Sequence, residues 1–217
     1  MTKKLNNNIN VLFIAFSFMM SFVYGVLAII DGNIYKLLIC LSVIPVILLP
    51  YFIEKKFRIK INPYIINIYL IFVFFAHILG SIVDLYDKVY FYDKLIHFMS
   101  GIVTSFIAVY VLILFKKYDQ KNYSFNLIFI LSFVLLIASN WEFFEFYVDL
   151  IFHKDAQRVI SSGVYDTMMD MICASLGCLL FNLCYIWENE MNKELVITKF
   201  IKSINWNKKE VNHFELQ

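Results

Sequence analysis

The sequence predicts an all-α polytopic membrane protein with six transmembrane helices and both termini in the cytoplasm, and three observations carry that reading. Of 217 residues, 61% are hydrophobic and 18% aromatic, at a mean hydropathy of +0.70. A soluble domain of this size has no interior large enough to hide so much apolar surface, so lipid must act as solvent. Six apolar runs are each long enough to cross a hydrocarbon core of roughly 30 Å at about 1.5 Å per residue. Lysine and arginine concentrate on alternate sides of those runs. Backbone polar groups must be satisfied inside lipid and the alternation of a barrel strand is absent, so the spans are helices.

The spans are expected at residues 9 to 30, 34 to 53, 61 to 83, 95 to 115, 125 to 150 and 164 to 187. The first follows Lys3 and Lys4 as a signal peptide would. Its apolar run of about 22 residues is too long for that role and lacks a small-x-small site, so an uncleaved helix is expected. Residues 1–190 form one transmembrane domain and residues 191–217 a cytoplasmic tail. In that tail Leu195, Ile197, Phe200, Ile201 and Ile204 are spaced for one helix face, with Lys193, Lys199 and Lys202 elsewhere. A short helix lying on the inner membrane surface is the expectation.

The N-terminus, residues 54–60, residues 116–121 and the tail hold 14 of the 19 Lys and Arg. The intervening loops hold five, which orients both termini inward. Cys40, Cys173, Cys178 and Cys184 all fall within spans and form no Cys-x-x-Cys, so they read as inert buried thiols. The net charge of +2 comes from cytoplasmic loops and gives no case for nucleic acid as a partner.

Polar residues inside the spans are the informative ones, because charge in hydrocarbon is costly and is kept for function. Three pairs stand out: Asp93/His97, Glu142/Glu145 and Asp166/Asp170. Spacings of four, three and four put each pair on one helix face. With the N-terminus inside, all of them, together with His77, Ser81, Asp84 and Asp149, lie at the outer ends of spans 3 to 6. The same faces continue into small residues: Gly101, Ser105 and Ala108 below His97, and Ala174 with Gly177 or Cys178 below Asp170. Small residues let membrane helices approach closely. One outward-facing polar cavity above a tight helix contact is therefore expected. Asp84, Asp87, Lys88 and Asp149 are close enough to water for simple solvation.

Several carboxylates in a low-dielectric cavity need a counter-charge. A divalent cation is one answer: Asp93, His97, Glu142, Glu145, Asp166 and Asp170 offer mixed imidazole and carboxylate ligands that suit zinc, manganese or iron. Shared protons are a second. Arg158 or Lys94 folding inward is a third, and either residue would also bind a phosphate or carboxylate on a substrate. His97, Glu142 and Asp170 are the candidate catalytic residues. With a metal-activated water, or by acid/base work without one, the site would hydrolyse or transfer groups on a membrane lipid or a lipid-linked envelope precursor. Residues 153–163 are placed to act as a lid or head-group contact. No Gly-x-Ser-x-Gly, phosphate-binding Gly loop or phosphatase Ser-Gly-His motif is present, which removes several enzyme classes. The rival readings are an ion- or proton-coupled transporter, for which a homodimer would supply the second half, and a non-catalytic envelope scaffold or sensor.

The stretch Ala76-His77-Ile78-Leu79-Gly80, then Tyr92-Asp93-Lys94-Leu95-Ile96-His97-Phe98 with Gly101, then Trp141-Glu142 with Glu145, then Tyr165-Asp166-Thr167-Met168-Met169-Asp170 with Gly177, resembles the YjdF-like family of bacterial inner-membrane proteins. More distantly the chain resembles the VanZ-like proteins, whose Asp-Lys-x-x-His-Phe opening is matched by Asp93, Lys94, His97 and Phe98. The resemblance covers about residues 61 to 187. It implies a multi-pass protein of the bacterial cytoplasmic membrane; the likeness to VanZ-like proteins implies in addition a part in the cell envelope or in glycopeptide tolerance, as those proteins have.

Overall fold

The computed structural model describes residues 2–120 and 123–204, with side chains from Asn10 onward. Residues 205–217 of the expected tail, with Lys208 and Lys209, lie outside the described residues, as does Lys121. Among the described residues there is no strand. Six helices are long and apolar enough to cross a membrane: Asn10–Ile30, Ile34–Phe57, Pro63–Ile82, Tyr92–Leu114, Ser124–Phe152 and Tyr165–Glu190. The chain divides into two compact units, Met1–Ile96 and His97–Gln217.

The first unit holds α1 (Thr2–Ile30), α2 (Ile34–Phe57) and α3 (Pro63–Val73). Gly32 turns the chain between α1 and α2 at φ 65°, a conformation that costs glycine nothing. Asn33 then starts α2 by accepting the N–H of Lys36 at 3.0 Å. Pro50 inside α2 removes the N–H that would have bonded the carbonyl of Val46. The hydroxyl of Tyr69 replaces it, donating to that oxygen at 2.7 Å, which is how membrane helices accommodate proline. Asn62 caps α3 and Pro63 occupies its first position, where a missing N–H is no loss. Apolar residues of α2 (Cys40, Val43, Ile47) pack on Leu70 and Val73 of α3 and on Ile78 and Ile82.

Those last two belong to a π-helical stretch, Phe74–Ile82, into which α3 runs directly. Hydropathy does not distinguish it from the helix before it. Its polar residues find partners within the unit: His77 Nε2 lies 3.0 Å from Ser42 Oγ, and Lys36 pairs with Asp84 while donating to the Ser81 carbonyl at 2.9 Å. Asp84, expected to be merely solvated, is thus held by a salt bridge, in a left-handed backbone conformation at φ 65°. A single turn, α4 (Leu85–Lys88), follows.

The second unit is built on α5 (Tyr92–Leu114), which starts in the first, with α6 (Ser124–Phe152), α7 (Val159–Ser162) and α8 (Tyr165–Glu190). α5 is the most buried span, 67% against 17% to 33% for the others, so its polar residues face protein rather than lipid. Near one end of α8, buried Asn126 donates to the carbonyl of Asp119 at 2.7 Å and to the Tyr185 hydroxyl at 3.2 Å. Tyr185 donates in turn to Tyr118 at 2.8 Å. Burial pushes the Tyr118 phenol well above its ordinary range.

Residues 196–204 are helical, with Ile197, Phe200, Ile201 and Ile204 buried. Phe200 meets Phe106 edge to face at 5.1 Å. Glu188 accepts the N–H groups of Ile197 at 3.1 Å and Thr198 at 2.7 Å, satisfying donors that a first helical turn leaves open. The face spaced for one side of a helix is therefore covered by protein here, while Leu195 is exposed.

Candidate functional site

α5 and α8 cross where both lack side chains. A Cβ on Gly101 would sit 2.0 Å from the carbonyl oxygen of Ala174, and one on Gly177 would sit 2.0 Å from that of Phe98. The two backbones are in contact, as small residues permit. Fully buried Ser105 turns its hydroxyl back to the Gly101 carbonyl at 2.7 Å, so no polar atom of its own is stranded at the crossing.

One turn along each helix from that contact stand His97 and Asp170. His97 Nε2 and Asp170 Oδ1 are 3.7 Å apart, and the two side chains are 9% and 2% exposed. The separation is inside ion-pair range and beyond a direct hydrogen bond. Water is largely excluded from both groups, so with His97 protonated their attraction acts at low dielectric. Asp93, also buried, precedes His97 by one turn on the same unbroken helix and shares its face. The ammonium of Lys94 lies 3.1 Å from the Asp93 carboxylate.

The remaining candidates occupy the α6 and α7 side. Arg158 Nε lies 4.0 Å from Asp166 Oδ2, and Ser162 Oγ accepts the Asp166 N–H at 3.3 Å. Glu145 accepts the indole N–H of Trp141 at 2.8 Å on the exposed side of α6. Among the described residues, Glu142, Glu145 and Asp166 do not enter a group of three or more potential ligand atoms within 4.8 Å of one another.

Glu142 is buried and lines a groove of about 670 Å³ with Ser139, Phe143, Phe146, Gln157 and Thr167. The groove exists because the chain doubles back after α6. His153 ends the helix at φ 52°, and Asp149 then takes the N–H of Ala156 at 2.5 Å and that of Gln157 at 3.0 Å on its two oxygens. The Gln157 side chain donates to the Glu142 carbonyl at 3.2 Å and to Thr167 Oγ1 at 3.4 Å. The N–H groups of a segment that is neither helix nor strand need partners of this kind when they are shielded from water. Asp149, expected to be solvated, is a clasp. Ser139, Gln157 and Thr167 are site residues that sequence reasoning missed. Ser139 had a signal, three residues before Glu142 on the same face; Gln157 had none, because only the return of the chain brings it there.

A family model described as "Predicted membrane protein (DUF2238)" matches residues 10–190. The chain belongs to this family. It is the YjdF-like family that the motifs resemble, and membership with six apolar spans makes the protein a multi-pass membrane protein. An "Uncharacterized protein" of Thermotoga maritima is 29% identical over 108 residues, 49% of this chain and 53% of the relative. The chain therefore matches about half the length of that relative. No solved structure matches.

Proposed function

We propose that this protein acts on a lipid or lipid-linked envelope substrate in the bacterial cytoplasmic membrane, with His97 and Asp170 as the reacting pair. The observation that carries the reading is the 3.7 Å approach of these two buried groups directly beside a backbone-to-backbone helix crossing. Two ligands sharing one ion at about 2.1 Å with tetrahedral geometry lie about 3.4 Å apart, close to the spacing found. Asp93, by its register on α5, supplies a further carboxylate, so that one imidazole and two carboxylates would hold zinc, manganese or iron and activate a water. Without a metal, the same pair does acid/base chemistry, Asp170 orienting and charging the imidazole. Glu142 in the adjacent groove and Arg158 beside Asp166 serve the substrate. The Asp-Lys-x-x-His-Phe likeness to VanZ-like proteins supports the envelope assignment.

The test is bound metal and melting temperature of the purified protein beside Asp170→Asn and Glu142→Gln, which keep size and hydrogen bonding while removing charge. The expected result is a fold retained or somewhat stabilised in both, with metal content per folded molecule lost in Asp170→Asn. Wild-type protein devoid of metal whose turnover survives chelators selects the acid/base route. Variants that lose folded protein while the remainder keeps its metal and turnover would reduce these residues to structural polar contacts and end the proposal.

A further inference from the structure

We propose that the lipid-facing side of α6 is a dimer interface, in which two copies of this chain pair around a two-fold axis and join their Asn140 amides. The buried stripe of α6 runs through Asn126, Ile130, Val134, Ala138 and Glu142. At about 100° per residue Asn140 points about 200° away from Ala138, to the opposite side of the helix, and there it is exposed. It stands 16 residues after Ser124 and 12 before Phe152, about 24 Å and 18 Å along the axis. A hydrocarbon core about 30 Å thick covers Asn140 wherever it falls on those roughly 42 Å. The amide nitrogen donates to the Leu136 carbonyl at 2.7 Å, which takes one proton. Its second N–H and the side-chain oxygen meet no partner among the described residues. Against acyl chains those groups cost free energy that a hydrogen bond recovers, and polar side chains so placed hold membrane helices together.

The residues on either side of Asn140 make the seam that a second helix needs. Phe129, Phe133, Leu136, Asn140, Phe143 and Tyr147 follow steps of four, three, four, three and four, the heptad spacing of a coiled coil. Leu136, Phe143 and Tyr147 are exposed, and Phe129 stacks on Phe133 at 5.9 Å along the same line. Asn140 takes an a position in that pattern, where a single asparagine fixes register and the number of partners. A second copy of this chain is the occupant that fits. A two-fold axis along the membrane normal brings equal depths together, so Asn140 meets Asn140 of the second copy. An amide both donates and accepts, so the pair closes reciprocally. These six residues carry no charge, so nothing in the seam repels its own image. The dimer needs nothing from the chemistry at His97 and Asp170.

The experiment uses the full-length protein in vesicles of phosphatidylethanolamine and phosphatidylglycerol. With the four native cysteines replaced by alanine, single cysteines are introduced and mildly oxidised. Leu136→Cys and Phe143→Cys, at the d positions, should cross-link into a species of twice the chain mass. Ile128→Cys and Ile137→Cys, exposed about 100° to either side of the seam, should not. Energy transfer between labelled chains, followed as lipid dilutes the protein, then measures the association. Asn140→Leu should weaken it about ten-fold, the scale of hydrogen bonds between membrane helices, and Asn140→Gln should restore most of the loss. A wild-type protein that is monomeric at every dilution, equal cross-linking on and off the seam, or undiminished association of folded Asn140→Leu would overturn the proposal. The cross-linking pattern decides the matter if that variant does not fold.

Discussion

Gly101 meets Ala174 backbone to backbone, with room between them for a hydrogen and none for a methyl group. His97 on α5 and Asp170 on α8 approach to 3.7 Å because the helices that carry them can touch.

Changing Gly101 or Gly177 to Leu should therefore force α5 and α8 apart. Overpacking of this kind costs about 1–3 kcal/mol, and more where the obstacle is backbone that cannot rotate away. The measurement is thermal unfolding and monodispersity in detergent. Loss of stability should come first, with loss of metal or turnover as its consequence. Full stability in either variant would mean that the helices do not cross at this point.

Asp149→Ala should release the segment that folds back after α6. Two backbone N–H groups, of Ala156 and Gln157, would lose their acceptor, at about 1–3 kcal/mol for each that stays buried. Because α6 also packs against α8 through Asn126, Ile130, Val134 and Ala138, the effect should be local. Hydrogen exchange should rise across residues 153–158 while protection in α8 is unchanged. Uniform loss of protection would show instead that the clasp holds the whole unit.

Glu188→Gln should free the helical residues 196–204. The carboxylate accepts two N–H groups at the start of that helix, and a neutral amide reproduces one of these bonds at best. Limited proteolysis should then cut near residues 191–196 faster than in the wild type. The same cleavage rate in both would mean that packing of Phe200 on Phe106 alone holds the segment.

The orientation follows from the Lys and Arg asymmetry and is testable by labelling single introduced cysteines in intact cells. Residues 84–92 and 150–162 should react from outside, and residues 116–120 only after permeabilisation. Labelling of the C-terminus from outside would refute the inward placement of both termini.

The six spans were legible in the sequence because burial in lipid demands nothing subtler than about 20 apolar residues in helical conformation, and because each backbone donor is satisfied within its own span. The pairing of His97 with Asp170 was half legible. Both residues lie on helix faces that continue into glycine and alanine, so the spacing marked the faces that would touch. Which of the six ligand candidates would meet was not legible, since two helices bring residues together by crossing angle and depth, and neither is written in either helix alone. The salt bridge of Lys36 with Asp84, the clasp of Asp149 and the return of Gln157 to Glu142 were not legible at all. They join residues 48, 7 and 15 positions apart through loops that have no hydropathy signature. Hydropathy chose the solvent for each segment; the return of the chain after α6 and the contact of two glycine-bearing faces decided which polar atoms would share a site.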